Sequence, residues 1–146
     1  MTGIRIERHL PHPPHRVFAY VTDERHVLTW WGHDSTTVVD PDLSFDRPGP
    51  WRATLRFPDR REVTMSGHVT HVDPPRSVGF TWQWDGQDGW DDAESHVTIR
   101  LDPAPGGGTD LTLDHVRLPD AADWPLKQTR GWGSTLGRLE AALAAT

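Results

Sequence analysis

Two polar side chains in the last third of the chain, Ser95 and His115, have the chemistry for proton transfer. The ordinary pKa of histidine lies near neutrality, so an imidazole can accept and donate protons, and a nearby hydroxyl can assist it. Both residues lie where apolar and polar residues alternate, which predicts strands with these two side chains on the inward face. Because a buried polar group must be hydrogen-bonded, two interpretations stay open: a structural group of the core, or a polar group in a cavity.

Metal and phosphate chemistry is not indicated. Among the nine histidines, His12 and His15 are close in sequence, but prolines keep their segment extended. The acidic segment 85–94 lacks the glycine and glutamate spacing of a calcium-binding loop. Residues 106–108 are three glycines with no Lys-Ser/Thr pair and no helix after them, unlike a phosphate-binding loop. We therefore predict no metal site and no cofactor, and the sequence shows no paired set of catalytic residues.

Tryptophan is unusually frequent, with eight residues against four Phe and one Tyr. A buried indole contributes a large apolar surface and an N–H group that usually finds a partner. One interpretation is the codon bias of a genome rich in G and C. The other is a cavity whose walls are indole rings.

The elements that position these side chains follow from the hydropathy pattern. A two-residue period predicts seven strands, over residues 4–10, 36–39, 51–57, 63–69, 78–84, 97–101 and 109–115. Short turns between consecutive strands predict an antiparallel sheet. Two short helices are predicted after the first strand, and a long helix begins at Trp124 and carries an apolar stripe from Leu136 to Leu143.

Composition limits the class of protein. The 146 residues are the length of one domain, so residues 1–146 are predicted to form a single unit. There is no cysteine and no apolar run of signal-peptide or membrane-span length, and we expect a cytoplasmic protein without a membrane span. The net charge of -6 argues against nucleic acid as a partner, because binding phosphates needs a basic face.

A curved sheet covered by only one long helix is expected to leave a gap near the middle of that helix, and such gaps commonly bind small molecules. The side chains predicted to contact a hydrophobic ligand there are mostly aromatic, with two polar groups to orient it. They are Trp31, Met65, Phe80, Trp82, Trp84, Ser95, His115 and Trp132.

Short motifs in a fixed order along residues 4–143 resemble one known family. They are Trp30-Trp31-Gly32, the Gly67 strand leading to Asp73-Pro74-Pro75-Arg76, Phe80-Thr81-Trp82, Ser95-His96-Val97-Thr98, the strand from Gly108 to His115, and Gly131-Trp132. Together they are similar to the activator-of-heat-shock-protein-90-ATPase homologues, within the START-like (SRPBCC) superfamily.

The resemblance implies an α+β helix-grip fold: a curved antiparallel sheet of six or seven strands around a long C-terminal helix, with two short helices after the first strand. It also implies a cavity for a small hydrophobic or amphipathic ligand. The family's name comes from a two-domain chaperone activator, whereas this chain has the length of one domain, and the family offers no shared catalytic residues to transfer.

Three functional hypotheses remain at this point. The first is a domain that binds a small hydrophobic ligand without catalysis. The second is an enzyme similar to polyketide cyclases or dehydratases, with His115 as general acid or base and Ser95 assisting. The third is an interaction module with a chaperone or homodimer contact, which would need an exposed apolar patch. For residues 33–50 the sequence leaves strand, lid and loop open.

Overall fold

The computed structural model describes residues 2–32, 35–87, 89–90 and 94–145. His33 and Asp34 of the uncertain segment lie outside these residues, as do Asp88, Asp91 and Asp92 of the acidic segment. The elements are β1 (Thr2–Leu10), α1 (Pro14–Thr22), α2 (Glu24–Val27), β2 (Thr37–Asp42), β3 (Gly49–Arg56), β4 (Glu62–Asp73), β5 (Ser77–Trp84), β6 (Ser95–Pro103), β7 (Thr109–Leu118), a short 3-10 helix (Ala121–Asp123) and α3 (Trp124–Ala144).

The seven strands form one antiparallel sheet in the order β1-β7-β6-β5-β4-β3-β2. Consecutive strands from β2 to β7 are neighbours, as the short turns predict, and β1 pairs with the last strand, with Ile6 opposite Leu113. The prediction of a helix-grip architecture with two short helices and a long final helix is confirmed.

Local sequence explains how the helices begin. Pro14 occupies the first turn of α1, where its missing N–H breaks no helical hydrogen bond. The side chain of Asp23 accepts a hydrogen bond from the backbone N–H of Arg25 (3.0 Å) and caps α2. Trp124 is the first residue of α3, as the sequence predicts.

The uncertain segment turns out to contain a strand followed by a buried loop. After β2, Leu43 and Phe45 insert into the core, where Phe45 stacks on Phe80 at a centroid distance of 4.7 Å. The backbone N–H of Leu43 donates to Glu24 Oε2 (2.6 Å), and that of Phe45 donates to the carbonyl of Thr22 (3.0 Å). These bonds tie the loop to the two short helices and cover one end of the aromatic core.

A glycine in β4 lets one indole cross the sheet. Trp51 Nε1 donates to the carbonyl oxygen of Thr81 (2.9 Å), and its side chain passes over Gly67. A Cβ at Gly67 would lie 2.7 Å from that indole nitrogen and closer still to the Thr81 carbonyl. Only glycine fits at this close approach of two strands and a ring.

The long helix contacts the rest of the molecule unevenly. Leu136, Leu139 and Leu143 of its C-terminal half are fully buried in the core. The backbone of α3 also packs against β1 and α1. Between its N-terminal half and strands β3, β4 and β5 the helix leaves an open space.

Candidate functional site

A cavity of about 530 Å³ lies between the N-terminal half of α3 and strands β3 to β5. Its walls are largely apolar and aromatic, with a few polar and three basic side chains. The lining residues are Trp31, Gly32, Leu55, Phe57, Arg61, Val63, Met65, Trp82, Trp84, Gln87, Trp124, Lys127, Gln128, Arg130, Gly131, Trp132, Ser134 and Thr135.

Three buried indoles form the innermost wall. The ring centroid of Trp82 lies 5.5 Å from that of Trp31 and 5.3 Å from that of Trp132, and Trp31 meets Trp132 edge to face at 88°. Trp31 Nε1 and Trp82 Nε1 are closed to solvent and have no hydrogen-bond partner among the described residues. These two donors are turned away from the open space, so the rings offer a ligand apolar surface.

A second aromatic pair forms the wall towards the mouth. Trp84 stacks on Trp124 with a centroid distance of 6.0 Å and an interplanar angle of 21°. Trp84 Nε1 donates to Gln128 Oε1 (2.6 Å), which ties β5 to α3 across the cavity. A strand residue and a helix residue are thereby held at a fixed separation.

Behind this wall, His115 is the centre of a buried hydrogen-bond network. Trp132 Nε1 donates to His115 Nδ1 (3.1 Å), and Gln128 Nε2 lies 3.4 Å from the same atom. His115 Nε2 lies 2.7 Å from Ser95 Oγ, and Ser95 Oγ donates to the carbonyl of Trp82 (2.8 Å). Because the serine proton goes to the carbonyl, the hydroxyl accepts from His115, and the proton of the imidazole lies on Nε2.

This environment keeps His115 neutral. Its exposed fraction is 0%. Burial lowers the pKa of His115 to about 3, with a smaller effect of the charge on His96. Both ring nitrogens are engaged and neither lines the cavity, so the imidazole has no free atom with which to meet a substrate. His115 holds Trp132 and Gln128 in position and does not fit the role of general acid or base.

The structure divides the eight residues singled out from the sequence into two groups. Five of them line the cavity: Trp31, Met65, Trp82, Trp84 and Trp132. Phe80, Ser95 and His115 face inward but lie behind the wall. Phe80 is covered by Phe45, His115 is covered by the indole of Trp132 and the amide of Gln128, and Ser95 is bonded to His115 on its far side.

From the helix face that closes the cavity, the sequence prediction named only Trp132. Trp124, Gln128, Gly131, Trp132 and Thr135 all line it. The last four follow Trp124 by four, seven, eight and eleven residues, which places all five on one face of a helix. This helical period is visible in the sequence and could have predicted them. The leucine stripe drew attention to the other half of the same helix.

One end of the cavity is closed by a hydrogen bond between distant segments. Thr135 Oγ1 donates to the carbonyl of Gly32 (2.6 Å), which joins α3 to the turn after Trp31. Gly32 has a φ of +88°, a conformation that favours glycine, and a Cβ there would lie 2.9 Å from Thr36 Oγ1. The Trp31-Gly32 pair of the sequence motif thus supplies a wall and a tight turn.

With the geometry in place, the comparisons identify the family. Residues 11–144 match the family described as Activator of Hsp90 ATPase homolog 1-like protein. The chain belongs to this family. The AHSA1 protein from Silicibacter pomeroyi is 39% identical, with 99% of each chain covered and a TM-score of 0.89.

More distant solved structures share the fold. A protein from Chromobacterium violaceum is 24% identical (97% of this chain, 96% of that chain, TM-score 0.82). An uncharacterized protein from Rhizobium leguminosarum is also 24% identical (99% and 95%, TM-score 0.83). No match is found among curated proteins.

Two structural findings concern other classes of site. In the part of the chain that the structure describes, no helix is long and apolar enough to cross a membrane. Within the same residues, no group of three or more His, Asp or Glu side chains is placed to hold a metal ion.

Proposed function

We propose that this AHSA1-family domain binds a small hydrophobic or amphipathic ligand between its sheet and its C-terminal helix. The observation that carries the proposal is the cavity of about 530 Å³ lined by five indole rings. Ligand sites of this size, largely apolar with a few convergent polar groups, are typical small-molecule pockets.

The cavity walls are fixed in place before any ligand arrives. Trp84 and Trp132 are anchored through Gln128 and His115, and Thr135 is anchored on Gly32. Walls held in this way favour binding, because less side-chain freedom is lost when the ligand enters.

The alternative hypotheses have less support. A cyclase or dehydratase that uses His115 would need that imidazole to reach the cavity, and it is sealed behind Trp132. Among the described residues, the exposed large hydrophobic side chains are Leu28, which follows α2, Val116 of β7 and Leu126 of α3. Three such side chains are weaker support for a chaperone or homodimer contact than the cavity is for a ligand site.

A cavity-filling variant with a matched control tests the proposal. Gly131 lines the cavity, and a Cβ there would have no atom within 4 Å, so a leucine side chain has room to occupy the space. Gly137 lies in the same helix, also without an atom within 4 Å, but outside the cavity. Gly131→Leu and Gly137→Leu therefore make the same change in helix propensity, but only Gly131→Leu places a side chain in the cavity.

We expect the neutral fluorescent dye N-phenyl-1-naphthylamine to bind the wild-type protein with enhanced emission. Gly131→Leu should weaken binding by at least about tenfold, since the side chain takes the volume of the dye. Gly137→Leu should bind like wild type, and circular dichroism should show that both variants are folded. No binding, or binding that Gly131→Leu leaves unchanged, would contradict the proposed function.

A further inference from the structure

Three basic side chains surround the mouth of the cavity. Arg61 lies in the turn before β4, and Lys127 and Arg130 lie three residues apart on α3. All three line the cavity and are exposed to solvent, which places them at its opening. They approach the opening from its two sides, the sheet and the helix.

Aromatic rings of the cavity wall hold two of these charges close. The guanidinium carbon of Arg61 lies 4.5 Å from the ring centroid of Phe57, and Lys127 Nζ lies 4.8 Å from that of Trp124. Such cation–π contacts keep the charged groups beside the apolar surface instead of extended into water. The positive charge is therefore positioned next to the space a ligand would fill.

These cations are not used in ion pairs within the described residues. The arginines that pair with carboxylates there include Arg5, Arg25, Arg47, Arg52, Arg56 and Arg100. Asp59 is close in sequence to Arg61, but it accepts from the backbone N–H of Arg61 and not from the guanidinium. Among the described residues that line the cavity there is no carboxylate, although the chain as a whole carries a net charge of -6.

The helix adds to the positive potential. Lys127 lies in the first turn of α3, which begins at Trp124 and has no acidic residue in that turn. Cations are disfavoured at helix N-termini, where the backbone dipole is already positive. The charge of Lys127 therefore does not stabilise the helix, and it adds to the positive potential of the helix N-terminus.

We propose that the cavity selects amphipathic anions. The apolar body of the ligand would lie against the indole walls, and its anionic head group, a carboxylate or a group of similar charge, would meet Arg61, Lys127 and Arg130. This inference rests on the proposed binding function and adds the chemical class of the ligand.

Two dyes with the same ring system distinguish the effect of the ligand's charge on affinity from the effect of its apolar part. 8-Anilinonaphthalene-1-sulfonate has the ring system of N-phenyl-1-naphthylamine with one added sulfonate. The ratio of their affinities measures selection for the anion. We expect the triple variant Arg61→Gln, Lys127→Gln, Arg130→Gln to lower this ratio by about tenfold at low salt. In wild type the ratio should also fall as salt is raised.

A matched triple variant controls for net charge. Arg47→Gln, Arg76→Gln and Arg100→Gln remove the same three charges at exposed positions outside the cavity lining, and should keep the wild-type ratio. If the two triple variants behave alike, or the ratio in wild type does not depend on salt, the inference is overturned while the binding function stands. If neither dye binds, or if Gly131→Leu leaves both unaffected, the binding function and the inference fail together.

Competition then distinguishes the sources of such an anion. Displacement of the sulfonate dye by dodecanoate would indicate a fatty acyl body, and displacement by 1-naphthylacetate an aromatic one. Either result supports the inference. Equal displacement by the corresponding neutral amides would contradict it.

Discussion

The two halves of α3 meet the sheet in opposite ways. The C-terminal half buries Leu136, Leu139 and Leu143 in a closed core. The N-terminal half presents Trp124, glycine and glutamine to open space and carries basic side chains at the mouth. One helix thus combines an interface that stabilises the fold with one that leaves room for a ligand.

The difference is maintained by polar contacts behind the cavity. Indoles and a glutamine without anchors would be free to rotate into the empty space and close it. Gln128 and His115 prevent this by fixing Trp84 and Trp132, and Ser95 fixes His115 in turn. The buried histidine holds the side chains of the open half of the helix in position, as leucine packing does in the closed half.

The largest effect is expected from a truncation in the closed half. Leu139→Ala should lower the free energy of unfolding by about 3 kcal/mol, because it opens a cavity in a packed core. Val63→Ala, in the cavity wall, should cost about 1 kcal/mol, because this half-buried side chain already lacks packing partners on its cavity side. Urea unfolding with unchanged m-values measures both. Equal losses of unfolding free energy in the two variants would contradict a difference in packing between the closed core and the cavity wall.

A smaller effect is expected from the pH dependence of His115. The pKa of His115 is about 3 in the folded protein against 6.5 ordinarily, so below pH 6.5 the unfolded chain binds the proton more readily. The folded state therefore has its full stability, as far as His115 is concerned, above pH 6.5. The free energy of unfolding then falls as the pH is lowered from 6.5 towards 3. Between pH 7 and pH 5 the loss is about 2 kcal/mol.

The variant His115→Gln isolates that contribution. Its unfolding free energy should fall less than that of wild type between pH 7 and pH 5, by the same amount of about 2 kcal/mol. The pKa of His96 is also lowered, mainly by burial, but His96 is present in both proteins and cancels in the comparison. Parallel pH profiles for the two proteins would show that His115 is not buried as a neutral group.

Much of the fold could be predicted because each strand buries one face. The alternation of apolar and polar residues locates the strands, and the Pro and Gly clusters locate the turns. The buried loop at Leu43 and Phe45 escaped prediction because two apolar residues between prolines and aspartates are too few to establish a period. Nothing local distinguishes such a loop from a solvated one.

The site could be predicted only in part. Alternation shows which face a side chain takes but not how deep it lies, so His115 and Ser95 could not be separated from Trp82 by sequence alone. The basic residues at the mouth were missed for a different reason. On a helix or in a turn, Arg61 and Lys127 look like ordinary solvated charges until the structure places them beside a cavity.

The most direct test is a high-resolution crystal structure of the protein purified from cells without added ligand. We expect electron density that protein atoms do not explain in the cavity, against Trp82, Trp84 and Trp132, with one end near Arg61, Lys127 or Arg130. A space closed by the indole side chains themselves, with Gln128 and His115 no longer joined to Trp84 and Trp132, would contradict the proposed ligand site.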